Sequence, residues 1–380
     1  MFFDQQPITL QNDYLELLEI MGSLSNLFSD RSTPYLPYRI TENLFCMCLG
    51  AKNLSRSDCT ADASKDNIGV GIKTFIGGTN DGSMQKIAEF NRKRSEYTSL
   101  SNIDLVLAVS TFRNDRINLT KRMHALSDMI YHYTVRNTSK ISILECPLET
   151  INISAIKLEK SHNMNSIYFN DGQNLYSFNL SKSTLYKKFD TSNIIREINV
   201  KIIDNPFLLL KEMLGEKRDK IVFSPIRELP HVFLPLFSTR TGKVPEKSGL
   251  NQWNADGRAR HSDELYIPVP KNVHKRFPGF FPDRNTIFEL ELPNGKVLSA
   301  KMCQSDSKGL MSNPNKELGH WLLRDVLQIK EGKLVKLEIL QKLGIDSAVI
   351  YKDSDKHFAI DFTTLGSYDK FISETDEEGE

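Results

Sequence analysis

The segment Ser248-Gly249-Leu250-Asn251-Gln252-Trp253-Asn254-Ala255-Asp256-Gly257-Arg258 sets three amide side chains beside an arginine. Downstream come Glu264-Leu265-Tyr266-Ile267-Pro268-Val269-Pro270, then Phe280-Phe281-Pro282. Lys308-Gly309-Leu310-Met311-Ser312-Asn313-Pro314-Asn315 and Leu318-Gly319 complete the set. Amides match the donor and acceptor edge of adenine, and arginine matches guanine O6 and N7. Such a loop is either a base reader or a turn with a solvated surface. From Phe237 to Arg276 there are eight basic residues (Arg240, Lys243, Lys247, Arg258, Arg260, Lys271, Lys275, Arg276) against four acids (Glu246, Asp256, Asp263, Glu264), so the region is locally +4. Short apolar runs broken by Pro and Gly predict a closed all-β sheet here.

Upstream the character differs. Tyr14, Leu15, Leu17, Leu18, Met21, Leu24 and Leu27 recur at helical spacing. A second helix is predicted over Thr41–Leu49, burying Leu44, Phe45 and Met47. Cys59–Ser64 and Ile68–Phe75 read as strands joined by the polar turn Lys65-Asp66-Asn67. After the loop Gly77–Gly82, Ser83 would cap a helix running to about Glu96. Asp104–Val109 reads as a strand and Leu119–Ile130 as a helix. Ile141–Phe189 is β-like, and Asp204-Asn205-Pro206 opens a leucine-rich helix. The charged stretch Glu216–Lys220 suggests a boundary between about residues 215 and 235. The fold class is therefore α+β in two domains: an α/β domain over 1–220, an all-β domain over 235–370, and a disordered acidic tail over 371–380.

Metal-dependent phosphodiester cleavage needs carboxylates converging on Mg²⁺ and a cation near the water or scissile phosphate. Asp62 begins the first strand of the hairpin and Lys73 lies on the second, so the pair resembles PD-(D/E)xK nucleases. Position 71, where that class carries its second acid, is Gly. Glu89, on the helix expected after the hairpin, would replace it as metal ligand beside Asp62. Glu42 would add an outer contact, and Gln85 would hold water or phosphate. The plain alternatives are a snorkelling lysine and solvated acids. Arg92, Lys93 and Arg94 are either a solvated face or a DNA-backbone track. His124 and His132 are structural, or phosphate donors beside Arg136.

The chain has 380 residues, 49 Lys plus Arg and 48 Asp plus Glu, for a net charge of +1. That balance excludes a polycation and an acidic disordered chain. Removing the five acids after Ser373 leaves the remainder at +6, a mildly basic body. Five cysteines without a CxxC pair point to a reduced cytoplasm and against structural zinc. No apolar run spans a bilayer, no signal peptide is expected, and no Walker or dinucleotide loop occurs.

Taken together, the C-terminal motifs resemble the DNA-binding pseudobarrel of restriction endonucleases similar to NgoFVII and BfiI. That fold is related to the plant B-three domain and the EcoRII effector domain. The resemblance implies a seven-stranded open barrel with two arms in the major groove. One arm maps to Asn251–Arg260 and the other to Ser307–Asn315. Asn251, Gln252, Asn254, Arg258, Arg260, Lys308, Ser312, Asn313 and Asn315 become DNA contacts. Trp253 becomes a packing or backbone-stacking residue, and Phe280, Phe281, Leu318, Trp321 and Leu322 become core residues. NgoFVII and BfiI carry an HxK nuclease, and no histidine here is followed by x-Lys. The expected function is a type II restriction endonuclease that uses Mg²⁺ on double-stranded DNA. A homodimer and a cognate DNA methyltransferase are the expected partners, with no membrane. Alternatives are a DNA-binding regulator, or an enzyme whose pseudobarrel is an allosteric effector site.

Overall fold

The computed structural model describes the chain except for residues 55–58, 79–81, 161–164, 218–228, 285 and 378–380. Part of the Gly77–Gly82 loop, the end of the charged stretch 216–220 and residues 218–228 of the expected boundary region fall outside the described residues. The chain divides into two units. The first is Met1–Ser55, Cys59–Asn118 and Leu126–Ser224; the second is Arg56–Asp58, Leu119–Ala125 and Pro225–Glu380.

The first unit begins with helices α1 (Ile8–Ser23) and α2 (Tyr38–Leu49). Tyr14 and Leu18 of α1, and Leu44, Phe45 and Leu49 of α2, are buried. Met47, expected inside, is 64% exposed, because it falls on the helix face away from that apolar stripe. Strands β1 (Lys52–Asn53), β2 (Ala63–Lys65) and β3 (Ile68–Ile76) follow. β2 and β3 form the expected hairpin, with Ala63 paired to Val70 and Lys65 to Ile68. Its two turn residues, Asp66 (φ 50°) and Asn67 (φ 61°), adopt the left-handed conformation that matches hairpin twist.

The next segment departs from expectation. Residues Gly82–Glu89 are strand β4, not a helix, and are followed by a short helix α3 (Arg94–Tyr97). Met84, Gln85, Lys86 and Ala88 are good helix formers, and antiparallel pairing with β10 (Thr184–Asp190), bulged between Leu185 and Tyr186, overrides that preference. The predicted strand Asp104–Val109 lies inside the long helix α4 (Asn102–His124), which also absorbs the start of the helix expected at Leu119–Ile130. Leu105, Val106 and Val109 share one helical face, packed with Phe169, Phe178 and Leu185. Then come β5 (Asp128–Asn137), β6 (Lys140–Pro147), β7 (Lys157–Leu158), β8 (Ser166–Asn170), β9 (Leu175–Asn179), β10, β11 (Arg196–Asn199) and α5 (Pro206–Lys217). The Asn205 side chain accepts a hydrogen bond from the Leu208 amide at 3.1 Å, capping α5 as the Asp-Asn-Pro sequence suggests.

Two sheets result, in the orders β1-β2-β3-β5-β6-β11 and β4-β10-β9-β8-β7. β3 and β5 run parallel, joined through α4, and the hairpin neighbours run antiparallel. Strand alternation divides the six-stranded sheet cleanly. Val70, Ile72, Ile141 and Ile143 pack with α1 and α2, while Phe75, Tyr131, Tyr133 and Leu144 pack with Phe189 of the other sheet.

The second unit contains β12 (His231–Pro235), β13 (Ile267–Pro268), α6 (Lys271–Arg276), β14 (Ile287–Glu291), β15 (Val297–Cys303) and β16 (Gly309–Ser312). After them come α7 (Glu317–Gly319), a π-helical segment His320–Val326, α8 (Leu337–Leu343), β17 (Ile345–Lys352), β18 (His357–Thr364) and α9 (Ser367–Glu377). All seven strands join one nearly closed, barrel-like sheet in the order β12-β17-β18-β14-β15-β16-β13, and only β14 and β18 pair in parallel. Phe280, Phe281, Leu318, Trp321 and Leu322 are buried, as expected, with Trp321 stacked on Phe362 at 5.4 Å. The tail departs from the disordered end expected. α9 continues to Glu377, Phe371 lies 4.9 Å from Phe233 and 5.4 Å from Phe277, and Arg276 donates to the Ile372 carbonyl. Among the described residues no helix is long and apolar enough to cross a membrane.

Candidate functional site

In the first unit the hairpin turn sets the geometry. Ala63 faces Val70, so the next step along the ladder puts Asp62 opposite Gly71. Cross-strand partners share a face, and Lys73 lies two residues on, so Asp62 and Lys73 project from the same side. The Asp62 carboxylate accepts the Ile72 amide at 2.6 Å. The Lys73 ammonium has no hydrogen bond or ion pair among the described residues. α2 brings in Glu42, which is buried and bonded to Arg39 at 3.0 Å. Burial raises the Glu42 pKa, the Asp62 charge raises it further, and Arg39 and Lys73 oppose both. The Cys46 thiol is pushed up to about 11 by burial and then by Glu42 and Asp62. Glu42, Asp62 and Lys73 are therefore brought into one electrostatic neighbourhood.

Gly71 explains the missing acid. It pairs with Tyr131, and a Cβ built on it would lie 2.9 Å from the Tyr131 ring and 3.1 Å from Leu148. A carboxylate there would need the packing around Tyr131, Leu148 and Phe189 to be rebuilt. Glu89 does not fill the gap. It lies on β4 in the other sheet, paired with Lys86 and accepting from Asn91, and those groups lower its pKa. Gln85, on the same strand, donates to Ser83 at 2.8 Å. Among the described residues no three acids, histidines or cysteines gather as a metal set. Glu42 and Asp62 carry carboxylate oxygens, the donor type that hard divalent cations take, and are the residues here that could hold one.

Other expected residues are spent on structure. His132 is fully buried between the Tyr14 hydroxyl (3.1 Å) and Glu145 (3.0 Å), and Glu145 also accepts the Phe3 amide. It is therefore not a phosphate donor, and His124 is buried as well. Arg136 donates to the Pro34 carbonyl and covers the Tyr35 ring. Arg113, which the sequence reading did not single out, is buried and donates to Thr60 at 3.2 Å and the Tyr131 hydroxyl at 2.7 Å. Only its partners, distant in sequence, reveal it.

Glu42 makes a directional prediction. A pKa raised by folding means the native state holds that proton more tightly than the unfolded chain does. Stability linked to this group is therefore present at low pH and lost as pH rises through the folded pKa. Glu42→Gln should raise the melting temperature of metal-free protein at neutral pH, with the gain vanishing below the ordinary carboxylate range. Thermal melts against pH would refute this if the variant were less stable throughout.

In the second unit the long β12–β13 connection is braced from within. The Asn251 amide is buried, donating to Pro245 and Val335 carbonyls at 2.9 Å and accepting the Val335 amide at 2.8 Å. It shapes the loop and is not available to a base. Arg260 likewise turns inward, donating to the carbonyls of Ala255, Asp256 and Arg258 beside buried Glu264. Arg258 shares Glu264, but its side chain is 60% exposed. Asn254 donates to the Glu246 carbonyl at 3.0 Å, and Gln252 is half-buried. In the other arm Ser312 is buried and accepts the Leu318 amide. Lys308 pairs with Asp306 at 3.1 Å, and Asn313 and Asn315 are partly exposed. The exposed or half-exposed members of the expected set are thus Gln252, Asn254, Arg258, Lys308, Asn313 and Asn315.

Asp263 and Arg324 are the structural residues the sequence reading missed. Arg324 grips Asp263 and the carbonyls of Ser262 and Ile329, and His320 adds a bond to Asp263 at 3.1 Å. Burial works against the Asp263 charge, but these partners outweigh it and hold its pKa low. A depressed folded pKa gives stability that is present above the unfolded value and lost as pH falls. Wild type should lose more stability on acidification than Asp263→Asn, which lacks this term; parallel acid melts of the two would refute the assignment.

Among curated proteins none matches the chain. Residues 227–354, about a third of the chain, match the family model of the NgoFVII C-terminal B3-like DNA-binding domain, and the second unit is such a domain.

Proposed function

We propose that the chain is a site-specific deoxyribonuclease of the restriction type. What supports this reading is a B3-like domain of a restriction-enzyme family on the same chain as a hairpin carrying Asp62 and Lys73 on one face, with Glu42 near enough to feel both charges. The second unit supports double-stranded DNA as the partner. Arg258 and Lys308 supply charge toward phosphate or guanine, and Gln252, Asn254, Asn313 and Asn315 supply amide edges. In the first unit Glu42 and Asp62 would hold a magnesium ion. When bound, that ion supplies positive charge against the phosphoryl oxygens and favours ionised water. Lys73 carries an ammonium without a partner among the described residues, on the Asp62 face, where it would stabilise charge developing on the phosphate. Asp62 is held in place by the Ile72 amide, so its orientation does not depend on substrate.

Incubation with a large bacteriophage DNA, in Mg²⁺ and separately in EDTA, tests the reading. Discrete fragments only with Mg²⁺ support it, and sequencing their ends gives the site. Discrete fragments in EDTA remove Glu42 and Asp62 as metal ligands. A sequence-specific footprint with no cleavage under any divalent metal replaces the nuclease with a regulator. That second reading is favoured by one observation, the lack of a third acid beside Glu42 and Asp62 among the described residues.

A further inference from the structure

Lys187 of β10 is 7% exposed, yet among the described residues its ammonium reaches a single hydrogen-bond acceptor, the Pro147 carbonyl at 3.5 Å. No carboxylate pairs with it among the described residues. The rings of Tyr131 and Phe189 lie 5.6 and 5.8 Å from the nitrogen and provide a weak cation–π cradle. A buried ammonium normally needs a full set of acceptors, so this one is under-partnered. Beside it opens a cavity of about 360 Å³, also lined by Lys188, Gln173, Asn174 and Cys146. Glu149 and Asp190 line it too, but both are exposed, and the Asp190 oxygens are taken by Ser192 and Asn193. The buried part of the lining thus offers the Lys187 ammonium, Asn174 is half-buried beside it, and Gln173, Lys188, Glu149 and Asp190 lie where solvent reaches them. All of these residues belong to the first unit.

We propose that this cavity is a binding site for a small phosphomonoester of mononucleotide size, its phosphate seated on Lys187. The volume falls at the lower end of small-molecule sites, roughly 300–1,000 Å³, and is far too small for a duplex. The Gln173 and Asn174 side chains supply donors and acceptors to the remainder of the ligand. This site is separate from the Asp62 hairpin, so it stands whether or not the chain cleaves DNA.

Thermal melts of the full chain in EDTA test the proposal, with inorganic phosphate, 5′-AMP or a short DNA duplex added. 5′-AMP is expected to raise the melting temperature saturably by a few degrees, and phosphate to do so more weakly. In Lys187→Met the apparent affinity for 5′-AMP should fall at least tenfold, while the ligand-free variant melts no lower than wild type, because a costly buried charge has gone. Asn174→Ala, which leaves the ammonium in place, should weaken the shift by a smaller factor. An equal 5′-AMP response in wild type and Lys187→Met overturns the site, as does no response in wild type. A response to duplex alone overturns the ligand class. A Lys187→Met protein that melts well below wild type, with Asn174→Ala unchanged in its response, makes Lys187 a structural residue instead.

Discussion

Lys73→Ala is expected to lower single-turnover DNA cleavage by roughly 10³-fold, on the scale of losing one preorganised charge at a phosphoryl centre. The Lys73 ammonium has no protein partner among the described residues, so its removal breaks no structural bond. It does remove a charge that helps restrain Glu42, so the Glu42 pKa should climb a little further. Binding of the intact site should change by less than about twofold, because that contact belongs to the B3-like unit. Cleavage assays paired with gel-shift titrations separate the two. Retained cleavage removes Lys73 from the chemistry, while parallel loss of binding shows that the variant has lost its fold.

The second large effect is structural. Gly319 closes α7 with an ordinary helical φ of −69°, so no backbone strain demands glycine there. Space does. A Cβ at this position would lie 1.7 Å from the Asp263 carbonyl oxygen and 2.7 Å from its carbon. The obstacle is backbone, and Arg324 holds that backbone by its bonds to Ser262 and Asp263. Gly319→Ala therefore has to push the π-helical segment away from the β12–β13 connection, against buried Leu318 and Trp321. We expect a loss of about 3 kcal/mol or more, beyond ordinary overpacking of a side chain. Chemical denaturation of the full chain measures it; a change within about 0.5 kcal/mol would show that the two backbones separate freely.

Legibility followed the range of the interactions. The β2–β3 hairpin was readable because Asp66 and Asn67 carry its turn locally, and α1 and α2 because their apolar stripes are periodic. α4 was misread because Asp104–Val109 is a short apolar run that fits strand or helix equally, and its packing face is defined only by Phe169 and Phe178. β4 was misread because helix-tolerant residues are held extended by partners about a hundred positions away. That one error carried Glu89 into the candidate site. Asp62 and Lys73 fall on the two arms of the hairpin as expected, because hairpin register needs no tertiary knowledge. The amides of the β12–β13 loop were visible as a group, but which would turn inward was not. Asn251 is committed to Val335, 84 residues later, and nothing near it in sequence announces that.

The bracing of that loop has a thermodynamic side. Asn251, Arg260 and Arg324 fix its course with protein groups alone, before any nucleic acid arrives. Ordering entropy is thus spent during folding and is absent from the association step. The heat-capacity change on binding should then reflect little more than the contact surface itself, without the excess that accompanies a segment folding onto its target. Encounter should be quick and governed by ionic strength, since the loop that would carry the basic side chains needs no reordering.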